Sequence, residues 1–203
     1  MKILTEVEAE NFLENEGFNV VQRANIKTKT GLRKVLKEIG FPVVLKASGS
    51  NLIHKNKVKG VRVGINNSFN AESEFESLMR IRGCDEVVVQ KQISGDEFLL
   101  GIKKTPDFGH VIAFGAGGIK TEELKDVSFR IAPFDKNDSE ELINEVKFSE
   151  KLSGESKDIV LSYLLKLVNL VKKYPNIVEL DVNPLMIRKN DAFVVDARIG
   201  FED

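Results

Sequence analysis

The sequence predicts an α+β fold, with mostly antiparallel sheets and helices on one face. Three observations carry that prediction. Strand-type runs recur, alternating at Val61, Val63 and Ile65 and fully apolar at Val87-Val88-Val89. Helix-period segments interleave with them. The chain then closes on a hairpin pattern, Ile177 to Arg188 into Ala192 to Ala197, turning at Lys189-Asn190-Asp191.

The elements follow in order. Thr5 with Glu8 reads as a capping box that opens a helix through about Glu16, with Gly17 as its stop. Leu32, Val35, Leu36 and Ile39 have the i, i+3, i+4, i+7 spacing of an amphipathic helix ended by Gly40. Pro42 to Lys46 reads as a buried strand, Ala47 to Gly60 as a polar loop, and Val61 to Ile65 as the next strand. Phe75, Leu78 and Met79 mark a helix. Glu97 to Lys103 and His110 to Phe114 form a strand pair joined through Pro106 and Gly109, before a glycine loop at Ala116-Gly117-Gly118. Ser128 to Ala132 is a short strand, and Val160, Tyr163, Leu164, Leu167 and Val171 give the clearest helix. The whole reads as a single domain of residues 1–203 with a boundary between two lobes near Val89 to Ile93.

Composition narrows the function classes. A 203-residue chain can bury a core without staples. Its formal net charge of −1 provides no global basic field for nucleic acid or a membrane surface, so an anion site must be local. The lone Cys84 excludes an internal disulfide, and no metal-type cysteine spacing occurs. There is no signal-peptide apolar region at Met1-Lys2-Ile3-Leu4 and no apolar run approaching the ~18 residues of a membrane helix, so the setting is read as cytoplasmic.

The most informative segment is Leu180-Asp181-Val182-Asn183-Pro184-Leu185. Strand alternation points Asp181 and Asn183 to one face and Leu180 and Val182 to the other. On the paired strand Asp196 closes the apolar run Val194-Val195. Facing side chains across a hairpin lie ~5 Å apart, so two carboxylates and an amide oxygen converge. Oxygen donors of this kind suit Mg²⁺. An exposed polar face with strand-end acids is the plainer alternative.

Lys46 ends the apolar run Val43-Val44-Leu45 and needs an acidic or phosphate partner. The loop after it carries three lysines and two glycines, enough to fold over a polyphosphate or simply to be a solvated loop. Phe114-Gly115-Ala116-Gly117-Gly118 offers close backbone approach to phosphate without the spacing of the known phosphate-loop motifs; a tight turn explains it equally. Arg130, between Phe129 and Ile131, requires a carboxylate or phosphate. Of the two histidines, His110 reads as structural. His54, in the basic loop, is either a plain loop residue or a nucleophile that forms a phosphohistidine, with neighbouring lysines keeping the imidazole neutral and offsetting the phosphoryl charge.

Taken together, Pro42 to Lys46, Leu52-Ile53-His54-Lys55, Val58-Lys59-Gly60-Val61, Phe114 to Ile119, Leu124 to Pro133, Glu179 to Leu185 and Val195-Asp196-Ala197-Arg198 resemble the nucleotide-binding subunit of ADP-forming acetyl-CoA synthetases, relatives of succinyl-CoA synthetase. The resemblance runs in order through essentially the whole chain. It implies an ATP-grasp fold, two α+β lobes that grip a nucleotide. It implies Mg²⁺ and ATP or ADP as cofactors, and a CoA-binding α subunit as partner in a hetero-oligomer such as α2β2. The implied chemistry is interconversion of acyl-CoA, ADP and phosphate with acid, CoA and ATP. His54 is implied to pass phosphate between that partner and Mg·ADP. Lys46, Lys55, Gln90, Glu97, Gly117, Gly118 and Arg130 are implied nucleotide contacts, and Asp181, Asn183 and Asp196 the metal ligands. Two features depart from the family pattern. Lys91 stands where an acid usually follows the hinge glutamine, and the histidine loop has exchanged an acid for lysines. Two rival readings stay open: an ATP-grasp ligase that joins a carboxylate to an amine, and a non-catalytic nucleotide-sensing module.

Overall fold

The computed structural model describes residues 1–49, 60–118 and 125–202. Two compact units divide the chain: Met1–Val20 with Ser94–Asp203, and Val21–Ile93. The larger unit is therefore assembled from both ends of the sequence, and the smaller is an insertion into it.

The elements are β1 (Lys2–Ile3), α1 (Glu6–Asn15), β2 (Arg23–Ile26), α2 (Lys29–Ile39), β3 (Val43–Ser48), β4 (Val61–Ile65), α3 (Ser68–Met79), β5 (Glu86–Lys91), β6 (Asp96–Thr105), β7 (Gly109–Ala116), β8 (Val127–Ile131), α4 (Lys136–Glu145), a 3-10 turn (Lys147–Lys151), α5 (Gly154–Lys173), β9 (Ile177–Arg188), β10 (Asp191–Val194) and β11 (Ala197–Phe201). Every strand pair is antiparallel.

In the smaller unit the sheet order is β2-β5-β3-β4. Alternation sends Val43, Leu45, Ala47, Val87 and Val89 into one apolar cluster with Leu32, Leu36 and Ile39 of α2 and Ala71, Phe75 and Leu78 of α3. Each such buried aliphatic side chain contributes ~1.5–3 kcal/mol over its exposed state. The helices start where short polar side chains accept first-turn N–H groups: Thr28 from Gly31, and Asn67 from Asn70. Gly40 stops α2 at φ +67, a left-handed conformation that costs a glycine little.

The larger unit has a seven-stranded sheet, β1-β11-β9-β6-β7-β8, with β10 also on β9. Its core joins β6, β7, β9 and β11 to α1 and to Val160, Tyr163, Leu164, Leu167 and Val171 of α5. Both halves of the predicted capping box at Thr5 and Glu8 are present. A second one, Asp135 with Asp138, opens α4, a helix the sequence reading left out. The buried Tyr163 hydroxyl accepts from Asn19 N at 3.0 Å and donates to Ala192 O at 2.9 Å, which ties Asn19 to β10. His110 Nε2 lies 2.8 Å from Ile177 O, a structural contact as expected for that residue.

The closing hairpin differs from its expected course. Its return strand does not run unbroken from Ala192 to Ala197: β10 ends at Val194, and β11 resumes at Ala197 on the same side of β9. Pro184 supplies the reason, since it has no N–H to give either neighbouring strand.

Candidate functional site

The break beside Pro184 makes the local geometry. Between β9 and β6, Phe98 pairs with Leu185 and Leu100 with Val182. Two residues of β9, Asn183 and Pro184, therefore face the single residue Leu99, a β-bulge that re-aims the side chain at its centre. On the other side of β9, Val195 and Asp196 lie opposite the same two residues, because Val194 pairs with Leu185 and Ala197 with Val182. Asn183 N–H donates to Asp196 O at 3.3 Å across this gap.

Leu180, Val182 and Ala197 are buried in the core, which turns Asp181 to the opposite face of the sheet. Asp181 is exposed to solvent on that face. Its carboxyl is pushed up to about 6, first by desolvation and then by the like charge of Asp196, with Arg198 opposing and Glu179 adding a little. A carboxyl held above its ordinary range in this way would be relieved by a cation bound beside it. The Asn183 Oδ1 accepts from Gly118 N at 2.7 Å and retains a second lone pair. Two carboxylates and one amide oxygen make a hard donor set suited to Mg²⁺. Among the described residues, no three His, Cys, Asp or Glu side chains form a metal-type group.

The glycine segment joins the same place. A Cβ on Gly117 would come within 2.4 Å of the Phe98 backbone, and Gly117 N donates to Glu97 O at 2.8 Å. Gly118 has φ +65, and a Cβ there would lie 1.8 Å from Glu97 Oε2. Only glycine permits so close an approach of β7's end to β6. Just beyond this loop, the Asp126 carboxylate accepts from Lys147 N at 3.1 Å and Phe148 N at 2.6 Å, which fastens the start of β8 to the 3-10 turn.

The larger unit thus gathers Glu97, Gly117, Gly118, Asp181, Asn183 and Asp196. Arg130 is placed elsewhere in it. Its Nη2 lies 2.6 Å from Glu145 and 3.4 Å from Glu141, and its Nη1 3.0 Å from Glu145 and 3.1 Å from Phe129 O, so α4 supplies its carboxylate partners. In the smaller unit, register pairs Lys46 with Val88 and Val44 with Gln90. Lys46 and Gln90 therefore share the face opposite α2 and α3, on neighbouring strands, and both are buried. Lys91 points the other way and donates to Phe41 O at 2.8 Å. His54 and Lys55 lie outside the described residues.

The sequence reading quoted Glu179 and Arg198 within its motifs but assigned no role to these two charged residues of the same sheet face. The signal was present, since alternation from Asp196 through a buried Ala197 returns Arg198 to the side of the acids.

A sheet of this topology, with a glycine loop lying against a paired-carboxylate ribbon, belongs to a known class. Residues 1–201 match the ATP-grasp domain family, and the chain is a member of it. Within that class it is similar to ADP-forming acetate–CoA ligases. It is 37% identical over 203 residues to acetate–CoA ligase [ADP-forming] II of Archaeoglobus fulgidus, covering 97% of this chain and 30% of that one. It is 33% identical over 210 residues to the beta subunit of acetate–CoA ligase [ADP-forming] I of Pyrococcus furiosus, covering 97% and 90%. The chain thus spans about a third of the single-chain relatives and nine-tenths of the separate beta subunit. Among solved structures, the dinucleotide-forming acetyl-coenzyme A synthetase 1 of Ca. Korarchaeum cryptofilum, in complex with coenzyme A, Ca-AMPCP and HgCl+, superposes with a TM-score of 0.90 at 30% identity, covering 99% of this chain and 94% of that one. Another structure of that enzyme holds coenzyme A and Mg-AMPPCP, with a phosphohistidine segment pointing towards the nucleotide-binding site; its TM-score is 0.84 at 30% identity, covering 99% and 93%.

Proposed function

We propose that this chain is the nucleotide-binding subunit of an ADP-forming acyl-CoA synthetase, and that it moves a phosphoryl group between His54 and Mg·ADP. The single observation that carries the reading is the convergence of Asn183 Oδ1, the Gly118 N–H and the Asp181–Asp196 pair at the β9 bulge. Asp181, Asn183 and Asp196 are the residues that would hold Mg²⁺. The ion, when bound, would neutralise phosphate oxygens and favour in-line displacement. Gly117 and Gly118 bring backbone close to the nucleotide. Glu97, at the Gly118 turn, is the acid for its ribose. Lys46 supplies charge to the phosphates and Gln90 a neighbouring polar contact. Lys55 flanks His54 in the same capacity as Lys46. His54, as a neutral imidazole, attacks the γ-phosphorus of ATP and ADP departs; in the other direction a β-phosphate oxygen of ADP takes the phosphoryl group and the imidazole leaves.

The likeness to separately encoded beta subunits supports a CoA-binding α subunit as the partner, in an assembly such as α2β2. A cytoplasmic setting fits this metabolism. Among the described residues, no helix is long and apolar enough to cross a membrane.

The test is transfer of label from γ-labelled Mg·ATP. The expected result is an acid-labile phosphate that maps to His54 and is absent from His54→Asn. Label accepted at the wild-type level by His54→Asn would overturn the transfer role. Stable ATP binding with no phosphohistidine, even with the partner present, would favour the sensing module.

A further inference from the structure

We propose that Arg198, held by Glu179, binds the terminal phosphates of the nucleotide beside the paired carboxylates. The inference rests on the nucleotide reading above and deepens it.

β11 sets Arg198 directly opposite Asp181, and Gly101 of β6 continues the same row. Ala197 and Ile199, on either side, are buried in the core, so Arg198 projects from the same face as Asp181. Its Nη2 lies 3.2 Å from Glu179 Oε1, while Lys103 Nζ donates to Glu179 Oε2 at 3.2 Å. Glu179 is thus gripped between β6 and β11 and fixes the direction of the guanidinium. A guanidinium carries five N–H donors, and one carboxylate contact leaves most of them for another anion. The side chain remains 58% exposed.

Charge balance argues for such a residue. Asp181 and Asp196 together match one divalent cation. The phosphates of a nucleoside diphosphate bring about three further negative charges, which need cations or N–H donors of their own. Arg130 meets Glu145 and Glu141 instead. Along the row beyond Asp181, Gly101 pairs with Ala113, two side chains of least bulk, so the sheet face falls away beside the acids. Arg198 stands at the opposite end of that opening with donors to spare.

The experiment is equilibrium binding of adenosine, Mg·ADP and Mg·ATP to the full chain and to Arg198→Ala, Arg198→Lys and Glu179→Gln. Arg198→Ala is expected to weaken Mg·ADP and Mg·ATP at least about tenfold and to leave adenosine unchanged. Lysine should restore part of the loss. Glu179→Gln, which only positions the guanidinium, should show the same dependence on phosphate number to a smaller degree. Arg198→Ala should melt with the wild type, since the side chain packs little. Wild-type affinity for Mg·ATP in Arg198→Ala overturns the proposal, as does an equal loss for adenosine. Failure of the wild type to bind any adenine nucleotide would instead refute the nucleotide reading, and the Arg198 role with it.

Discussion

Two adjacent glycines at the end of β7 are predicted to fail differently when given a methyl group. In Gly117→Ala the new Cβ meets the Phe98 carbonyl carbon and oxygen at 2.4 Å and its nitrogen at 2.8 Å. Ordinary contact needs ~1 Å more, and the obstacle is backbone. Phe98 cannot yield, because its ring stacks on Phe114 at 5.3 Å and packs on Phe148 at 5.1 Å in the core. Gly117 must therefore lift off β6, which strains or breaks its 2.8 Å bond to Glu97 O. Overpacking of ~1–3 kcal/mol and a lost hydrogen bond of ~1 kcal/mol give a destabilisation of ~2–4 kcal/mol. In Gly118→Ala the penalties are the left-handed conformation at φ +65, ~1 kcal/mol, and a clash with Glu97 Oε2, the mobile end of a side chain. Glu97 swings aside, so stability falls by only ~1 kcal/mol. Urea denaturation at fixed pH reads both values, and Tm should drop roughly 2–4 °C per kcal/mol for a chain of this size. Adenine-nucleotide affinity should fall more than stability in Gly118→Ala, because Glu97 has been displaced. A Gly117→Ala protein within ~0.5 kcal/mol of wild type, or a Gly118→Ala protein that is the less stable of the two, would refute this account of the loop.

Other outcomes follow from the same structure. Tyr163→Phe removes the hydroxyl shared by Asn19 N and Ala192 O and leaves partners unsatisfied; thermal melting should show a loss of ~1–3 kcal/mol, and an unchanged Tm would contradict the bridging role. Asp181→Asn should stabilise the metal-free protein above pH 6. The folded carboxyl titrates near 6 against 3.8 for an ordinary aspartate, so the folded state binds the extra proton between those values. Stability from this group is present below pH 3.8 and is lost as pH rises through about 6. After allowance for solvent contact the gain at pH 7 is ~1 kcal/mol, vanishing at pH 4. Melting curves at both pH values check it, and equal stability of the two proteins at pH 7 would contradict the proposed repulsion.

Much of the fold was legible because local chemistry and periodicity agreed. Thr5 with Glu8, Gly40, and the apolar spacing of Leu32, Leu36 and Ile39 or of Val160, Leu164 and Leu167 each mark an element the structure contains. The misses have physical reasons. Helix α4 buries only Ser139, Leu142 and Ile143, too few apolar positions to display a period among its charges. β2 is four residues, Arg-Ala-Asn-Ile, held in place by pairing with β5 rather than by its own pattern. The discontinuity of the larger unit is long-range and leaves no local mark. At the site, strand alternation placed Asp181 and Asn183 on a shared face, yet it assumed an unbroken hairpin. The bulge at Asn183-Pro184 and the gap at Val195-Asp196 depend on one proline lacking an N–H, and they put Asp196 opposite Asn183 while Arg198 faces Asp181. Arg130 required a carboxylate or phosphate by sequence logic, and only the packing of α4 on β8 shows which anion it meets in this structure.

The central claim is that two carboxylates and one amide oxygen at the β9 bulge hold the metal of a bound nucleotide. Calorimetric titration of ATP into the purified chain, with and without Mg²⁺, tests it most directly when repeated on Asp196→Ala and Asn183→Ala. The account predicts binding that strengthens at least tenfold with Mg²⁺ in the wild type and loses that dependence in either variant. Binding of equal strength without the ion, or an undiminished Mg²⁺ effect in both variants, would contradict it.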